Sequence, residues 1–511
     1  MRGTRATRVP TRAPVVYRAV MLTRDEESAM RAALERLERA PDVRYAEVRF
    51  VSEEKERLRV RDGRPEEAST ATSRGVGIRV LGEKTWGFAC TADLSEAALV
   101  SAAERAARIA KASGALTRAP VSFPARAASR GTYETRVLRD PFAVPLDEKM
   151  AALDAPVRAL LRGGKPVSSA NAWMEWVRVE KRLLTTEGTD TTQRFTYGGA
   201  GMEVHALGDD GVSQRRSYPT WQGSEGFQGG WEKIADLDLV GHAGELRDEA
   251  VALLSAPPCP EGVRDLILDA SQVALQIHES CGHPTELDRA QGSEISLAGG
   301  SFMQPRMLGN LRYGSELVDI VADSTAEGGM GTFGWDDEGV AAGKHALIER
   351  GMFVDYLSSR ETAHALGRDS TGTMRADGWN RTPLIRMVNV SIAPKKGSFD
   401  DLVADTKDGI YMLVDKSWSI DDLRLNFQFS CEAAWEIKNG KKTRLLRDPR
   451  YTGITPELWR SCDAICGPEE WKLFGLSTCG KGDPMQIMQV GHGASPARFR
   501  KVSIGNTGGK S

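Results

Sequence analysis

The feature that most constrains this chain is Gln276-Ile277-His278-Glu279-Ser280-Cys281-Gly282-His283-Pro284, entered from the apolar run Asp265-Leu266-Ile267-Leu268-Asp269. Two of the seven histidines in 511 residues stand five positions apart, and a carboxylate follows the first. Chance produces such a pattern in fewer than about one chain in a hundred. In the shorter HExxH pattern, residues four apart share a helix face, so two imidazoles meet one metal ion while the glutamate reaches the water bound to it. Five steps of about 100° instead place the second ring roughly 140° from the first, so a regular helix cannot bring both to one ion. An extra residue in the turn, or an early helix end, repairs the geometry. Gly282 tolerates unusual dihedrals, while Pro284 disfavours helical geometry at His283 and clashes with the carbonyl four residues back. The spacing therefore predicts a helix from about Ser271 to Cys281 that loosens so that His283 swings round to join His278.

The rest of the chain must bury this segment. A length of 511 residues suits two to four domains, and 41% hydrophobic with 27% charged residues is a globular composition. A net charge of -2 gives no reason to expect nucleic acid or membrane as a partner, and no run of 18 apolar residues could span a bilayer. Seven scattered cysteines (Cys90, Cys259, Cys281, Cys431, Cys462, Cys466, Cys479) are unlike the dense even arrays of small secreted domains and suit a reducing cytoplasm. The first twenty residues hold five arginines and no acid, without the apolar core of a secretory signal, so residues 1–22 read as a disordered extension.

Periodicity divides the chain beyond that extension. Residues 24–40 read as a helix capped by Thr23, with Met30, Ala33, Leu34 and Leu37 as its stripe. Alternation marks strands at Tyr45–Phe50, Leu58–Arg61, Gly77–Val80 and Trp86–Ala89, before a second helix over about Ser95–Lys111. Residues 117–146 carry four prolines and read as an irregular connector. A third helix is expected over Leu146–Leu161, then a β-rich stretch with a hairpin at Thr186-Glu187-Gly188-Thr189, then a fourth helix near Leu237–Leu254. The Ala256-Pro257-Pro258-Cys259-Pro260 cluster is the expected boundary between a 23–255 α+β domain and a 256–511 β-rich domain carrying the metal helix. Short strands such as Val388–Ile392, Ile410–Val414 and Leu425–Phe429 predict a sandwich-like or barrel-like second half. The fold class is α+β.

Several stretches of the second half together resemble a known family. The HExxxH segment, Ser477-Thr478-Cys479-Gly480-Lys481, Val490-Gly491-His492-Gly493, Asp336-Asp337-Glu338-Gly339, Arg360-Glu361-Thr362-Ala363-His364-Ala365, Arg386-Met387-Val388-Asn389 and Glu436-Ile437-Lys438-Asn439-Gly440-Lys441 are similar to the TldD/PmbA family of zinc peptidases. The resemblance covers most of the chain from about Met21 to Gly505, and the intact HExxxH places it with the peptidase-bearing branch. It implies Zn2+ held by His278, His283 and Cys479, with Glu279 as the catalytic glutamate. On the residues alone, Cys479 reads more readily as a small buried apolar group. The resemblance also implies short or unfolded polypeptides as substrates, held extended in a cavity formed by a dimer. A homodimer is expected, with a heteromer containing a PmbA-like subunit as the other arrangement. Lys416-Ser417-Trp418-Ser419 is bulkier than the glycine-rich run usual in the family at that place.

Other polar residues have a structural and a chemical reading. His492 and His364 are weak candidates for substrate or proton handling, and packed structural histidines are the preferred reading. Asp336, Asp337 and Glu338 could hold a hard cation, but a solvated or helix-capping acidic turn is preferred. Cys281, Cys462 and Cys466 read as packed cysteines. The function expected is peptide hydrolysis in which Glu279 activates a zinc-bound water. The alternatives are a catalytically silent peptide-binding subunit and a zinc hydrolase of a non-peptide amide.

Overall fold

Residues 21–162, 164–220, 225–297 and 299–507 are described by the computed structural model. Of the expected extension, all but Met21 and Leu22 lies outside them, and the Leu22 N–H is bonded to Glu180 (3.1 Å). The first half runs α1 (Arg24–Glu38), β1 (Tyr45–Arg61), β2 (Arg64–Leu81), β3 (Trp86–Thr91), α2 (Glu96–Gly114), β4 (Arg130–Glu134) and α3 (Leu146–Leu161). It continues with β5 (Val167–Thr185), β6 (Asp190–Leu207), β7 (Ser213–Tyr218), β8 (Glu225–Gln228), α4 (Lys233–Asp236) and α5 (Leu239–Ser255). All four expected helices are present, and Thr23 caps the first through a reciprocal bond pair with Glu26. The two strands expected within residues 45–61 are one, because the polar stretch between them is paired on both sides, by β2 and by β5. The stretch expected to be irregular contains β4, which runs parallel to β6.

The second half begins with β9 (Gly262–Leu268), α6 (Ala270–Ile277), α7 (Leu287–Ala290), β10 (Ile320–Asp323), β11 (Lys344–Glu349), β12 (Met352–Phe353) and α8 (Arg360–Ala365). Next come β13 (Met374–Arg375), β14 (Leu384–Ile385), β15 (Val390–Ile392), α9 (Phe399–Ala404), β16 (Asp408–Ile420), β17 (Asn426–Lys438) and β18 (Lys441–Leu446). The chain closes with β19 (Pro449–Ile454), α10 (Thr455–Arg460), β20 (Cys462–Ile465), β21 (Lys472–Lys481), β22 (Gln486–Ala494) and β23 (Ala497–Asn506).

Two sheets dominate. The larger has the order β22-β21-β8-β6-β5-β1-β2-β3, with β4 and β7 also on β6. Its first two strands come from near the end of the chain, across the proline cluster that lies between α5 and β9. In the other sheet β16, β9, β23, β19 and β17 pair in succession and β17 pairs back onto β16, so the ring closes as a small barrel. Period-two alternation assigns the faces of the large sheet. Met174 and Trp176 of β5 pack with Leu153 and Val157 of α3 and Leu246 of α5, whereas Val177 and Val179 join the core around α6. That helix touches β16 of the barrel and β22 of the large sheet, so the motif helix sits where the two meet.

The acidic turn is buried rather than solvated, but the helix-capping half of the expectation holds, since Glu338 accepts the N–H of Arg360 (2.9 Å), the first residue of α8. Arg79 bonds Glu47 (3.0 Å) and Glu338 (3.1 Å), and Lys181 bonds Asp337 (3.2 Å). Each acid of the turn is at most 4% exposed. Asp336 accepts backbone N–H bonds from Glu338, Val340 and Met374 and is pushed up to about 8 by burial and by the neighbouring Glu338 charge.

Candidate metal centre

The segment after β9 breaks its helical pattern where the spacing requires it. Asp269 caps α6 by accepting N–H bonds from Ser271 (3.0 Å) and Gln272 (3.2 Å). The α-helix ends at Ile277, His278–Gly282 form one π-turn closed by the His283 N–H on the His278 carbonyl, and His283–Thr285 form a 3-10 turn. A π-turn holds one extra residue, which is the correction that a five-residue spacing needs. The causes differ from those expected. Gly282 and His283 keep helical dihedrals, with φ of -56° and -61°. Gly282 is required for space, since a Cβ there would lie 2.0 Å from the Met387 sulfur. Pro284 has no N–H to continue the ladder, and the Thr285 hydroxyl takes up the carbonyls of Cys281 (2.8 Å) and Gly282 (2.9 Å).

The two rings now meet edge to face, with centroids 4.8 Å apart at 86°. Cys479 arrives from β21, where a bulge places Ser477 and Thr478 opposite the single residue Gln489 of β22 and re-aims the strand. One ligand atom each from His278, His283 and Cys479 lies within 4.8 Å of the others, and the Cys479 sulfur is 3.9 Å from Nε2 of His283. All three residues are buried, between 2% and 4% exposed.

Hydrogen bonds fix which nitrogen each ring offers. Nδ1 of His492 is 2.9 Å from the Val390 carbonyl, which can only accept, so this nitrogen carries the proton. Nε2 of His492 is then an acceptor, and it lies 2.7 Å from Nδ1 of His278, which must donate. Nε2 of His278 is left with a bare lone pair. By the same logic Nδ1 of His283 donates to Glu286 (3.0 Å), and its Nε2 presents a lone pair toward the sulfur. Burial pushes His278 down and His283 and His492 far down, holding all three rings neutral near pH 7. Burial alone would raise the Cys479 thiol, but the Arg386 guanidinium opposes it and the thiol lies below its ordinary value. Cys281 lies three residues from Pro284 yet faces the core, and burial pushes its thiol up. Cys462 and Cys466 are likewise buried and raised, by burial first.

Glu279 is 5% exposed and ion-paired with Arg424, whose Nη1 lies 2.6 Å from Oε2. His492 is joined to the cluster through His278, whereas His364 lies on the exposed side of α8 and outside it. Sequence reasoning missed Glu286, Arg386 and Arg424. The His283–Glu286 pair had a signal, since residues three apart share a helical face. Arg424, 145 positions from Glu279, had none. A cavity of about 20 Å3, room for about one water, touches His278, His492, Phe474 and Leu476. A larger one of about 700 Å3, lined by Arg59, Trp173 and Tyr197, reaches Ser477 and Thr478 beside Cys479.

Comparison with known proteins identifies the family of the chain. Residues 261–506 match the PmbA/TldA metallopeptidase C-terminal domain, and residues 46–110 match domain 1 of the same family. A metalloprotease of Methanocaldococcus jannaschii is 31% identical over 468 residues, covering 91% of this chain and 98% of that one. A metalloprotease of Methanothermobacter thermautotrophicus is 29% identical over 466 residues, covering 91% and 96%. A zinc metalloprotease TldD homolog of Saccharolobus solfataricus is 27% identical over 247 residues, covering 48% and 52%. The crystal structure of TldE from Thermococcus kodakarensis shares the fold, with a TM-score of 0.72 at 17% identity over 93% of this chain and 99% of that one. With both domain models matched and near-full-length relatives aligned, this chain belongs to the TldD/PmbA family of metallopeptidases.

Proposed function

We propose that this chain is a zinc metallopeptidase that hydrolyses peptide bonds of short or unfolded polypeptides, with Glu279 as the proton acceptor. The observation that carries the proposal is the donor set: two imidazole lone pairs and a thiol with a lowered pKa aimed at one another in a buried site. Around one tetrahedral zinc, nitrogen and sulfur ligands at about 2.0–2.3 Å stand roughly 3.3–3.7 Å apart. The His283–Cys479 separation of 3.9 Å is near that range and all three ligand atoms lie within 4.8 Å, so the residues fit the ion after an approach of about 1 Å. His278, His283 and Cys479 would hold it, and three protein ligands leave a fourth position for water. Zinc there supplies a Lewis acid that polarises a carbonyl and makes water acidic near neutral pH.

The chain's own residues do the rest. His492 and Glu286 hold the two ligand rings in the tautomer that coordinates. Glu279 accepts a proton from the attacking water and returns it to the leaving nitrogen as the peptide bond breaks. The 700 Å3 cavity beside Ser477 and Thr478 is large enough for several residues of an extended peptide. We place the enzyme in a reducing cytoplasm, which suits its seven free cysteines, and working as a homodimer or with a PmbA-like partner subunit. No helix among the described residues is long and apolar enough to cross a membrane.

Cleavage of a panel of unstructured peptides by zinc-loaded protein tests the proposal, with Glu279→Gln as the control. Loss of a general base costs about 10²–10⁴ in kcat. Glu279→Gln is expected to lose that much while retaining its zinc, and undiminished cleavage by this variant would remove Glu279 from the mechanism. A chain that binds zinc yet cleaves no peptide, alone or with a partner, is instead a silent subunit.

A further inference from the structure

We propose that Arg424 is a positioning residue for Glu279, a role that rests on the metallopeptidase reading above. Arg424 sits at the tip of the β16–β17 hairpin, in a left-handed conformation (φ 64°) that is unfavourable for a non-glycine residue. The turn is held without its side chain. Asp421 accepts the backbone N–H groups of Leu425 (2.7 Å) and Asn426 (3.1 Å), and its carbonyl accepts that of Arg424 (2.8 Å). Thr455 donates its hydroxyl to the Arg424 carbonyl (2.9 Å) and its N–H to that of Leu425 (2.8 Å). Phe302 donates its N–H to the Leu423 carbonyl (2.9 Å). A tip anchored from three directions has no need of the guanidinium, which is free to be spent on the site.

The guanidinium meets the carboxylate of Glu279 at 2.6 Å, with the two side chains 16% and 6% exposed. Its Nε has no hydrogen-bond partner among the described residues, so apart from Glu279 the fork is not committed to closing the fold. Glu279 stands in the π-turn, one residue from a ligand, and a carboxylate there can rotate onto the ion or away from the substrate. Arg424 occupies Oε2 and leaves Oε1 for the water. A planar guanidinium sets this direction as well as supplying charge, which an ammonium does only in part.

The test compares Arg424→Gln and Arg424→Lys with the full-length chain loaded with zinc. Misplacing a reacting group by about 1 Å costs roughly 100-fold. Arg424→Gln is therefore expected to lose about 10- to 100-fold in kcat, with KM within about twofold and zinc per chain unchanged. Arg424→Lys is expected to recover several-fold of that loss. A second readout needs no activity: in zinc-free protein, the Tm shifts of Arg424→Gln and Glu279→Gln are expected to be non-additive in the double variant. Unchanged kcat in Arg424→Gln, a kcat loss matched by zinc loss, no gain with lysine, or additive Tm shifts would each overturn the proposal. If the unaltered chain itself cleaves nothing and holds no zinc, the metallopeptidase reading fails, an outcome distinct from cleavage that ignores Arg424.

Discussion

Two buried polar clusters of the molecule resolve their burial in opposite ways. In the acidic turn, Asp337 and Glu338 meet Arg79 and Lys181, with Glu47 and Arg49 completing a set of matched charges. In the other, two neutral rings and a thiol aim lone pairs at a common point, and no cation of the chain bonds their ligand atoms among the described residues. The charges of the first satisfy one another, so it is structural. The second leaves Nε2 of His278 without a partner among the described residues, as the proposed metal site requires. The same contrast separates the cysteines: burial raises Cys259, Cys281, Cys431 and Cys462, while only Cys479 of the buried thiols is lowered.

The largest break in this comparison comes from Arg79→Met, which leaves Glu47 and Glu338 buried without their shared cation. Breaking one side of a buried pair costs about 3–5 kcal/mol, and denaturant unfolding should show that loss while the folded fraction still binds zinc. His492→Phe keeps the ring shape but removes the acceptor for Nδ1 of His278. A drop in zinc affinity of about 10- to 100-fold, read by competition with a chelator, is expected, with the unfolding midpoint of the zinc-free protein moved far less. Asp415 offers the smallest effect and a third kind of burial. It is 2% exposed, and burial together with the Glu432 charge pushes it up to about 8. Its folded-state value is above its unfolded one of about 4, so its protonated form supports the fold below pH 4 and that support is lost as pH rises through 8. Asp415→Asn should therefore match the parent chain near pH 4 and exceed it by about 1–3 kcal/mol above pH 8.

Locality decides how much was legible in the sequence. Although the expected helix ran to about Cys281 and the α-helix ends at Ile277, a break in it could be predicted because helix arithmetic forbids His278 and His283 meeting otherwise. Its causes were not, because the Met387 sulfur that demands Gly282 comes from another segment. Cys479 was one cysteine among seven until the family resemblance singled it out, and its aim depends on a bulge that pairing with Gln489 creates. The acidic turn looked solvated because its partners Lys181 and Arg79 lie 156 and 259 positions away. Of the four helices expected in the first half, α1, α2 and α5 carried their own caps, whereas α3 starts after Pro145 without one. The barrel was legible as many short strands, but its closure through β16 and β17 is a property of pairing that no single strand encodes.

The central claim is that His278, His283 and Cys479 form one metal-binding set. Elemental analysis of the full-length chain and of Cys479→Ser, each equilibrated with zinc and dialysed against metal-free buffer, tests it most directly. About one zinc per chain in the parent and a small fraction of that in the variant is the predicted result. Equal zinc in both, or none in either, would contradict it.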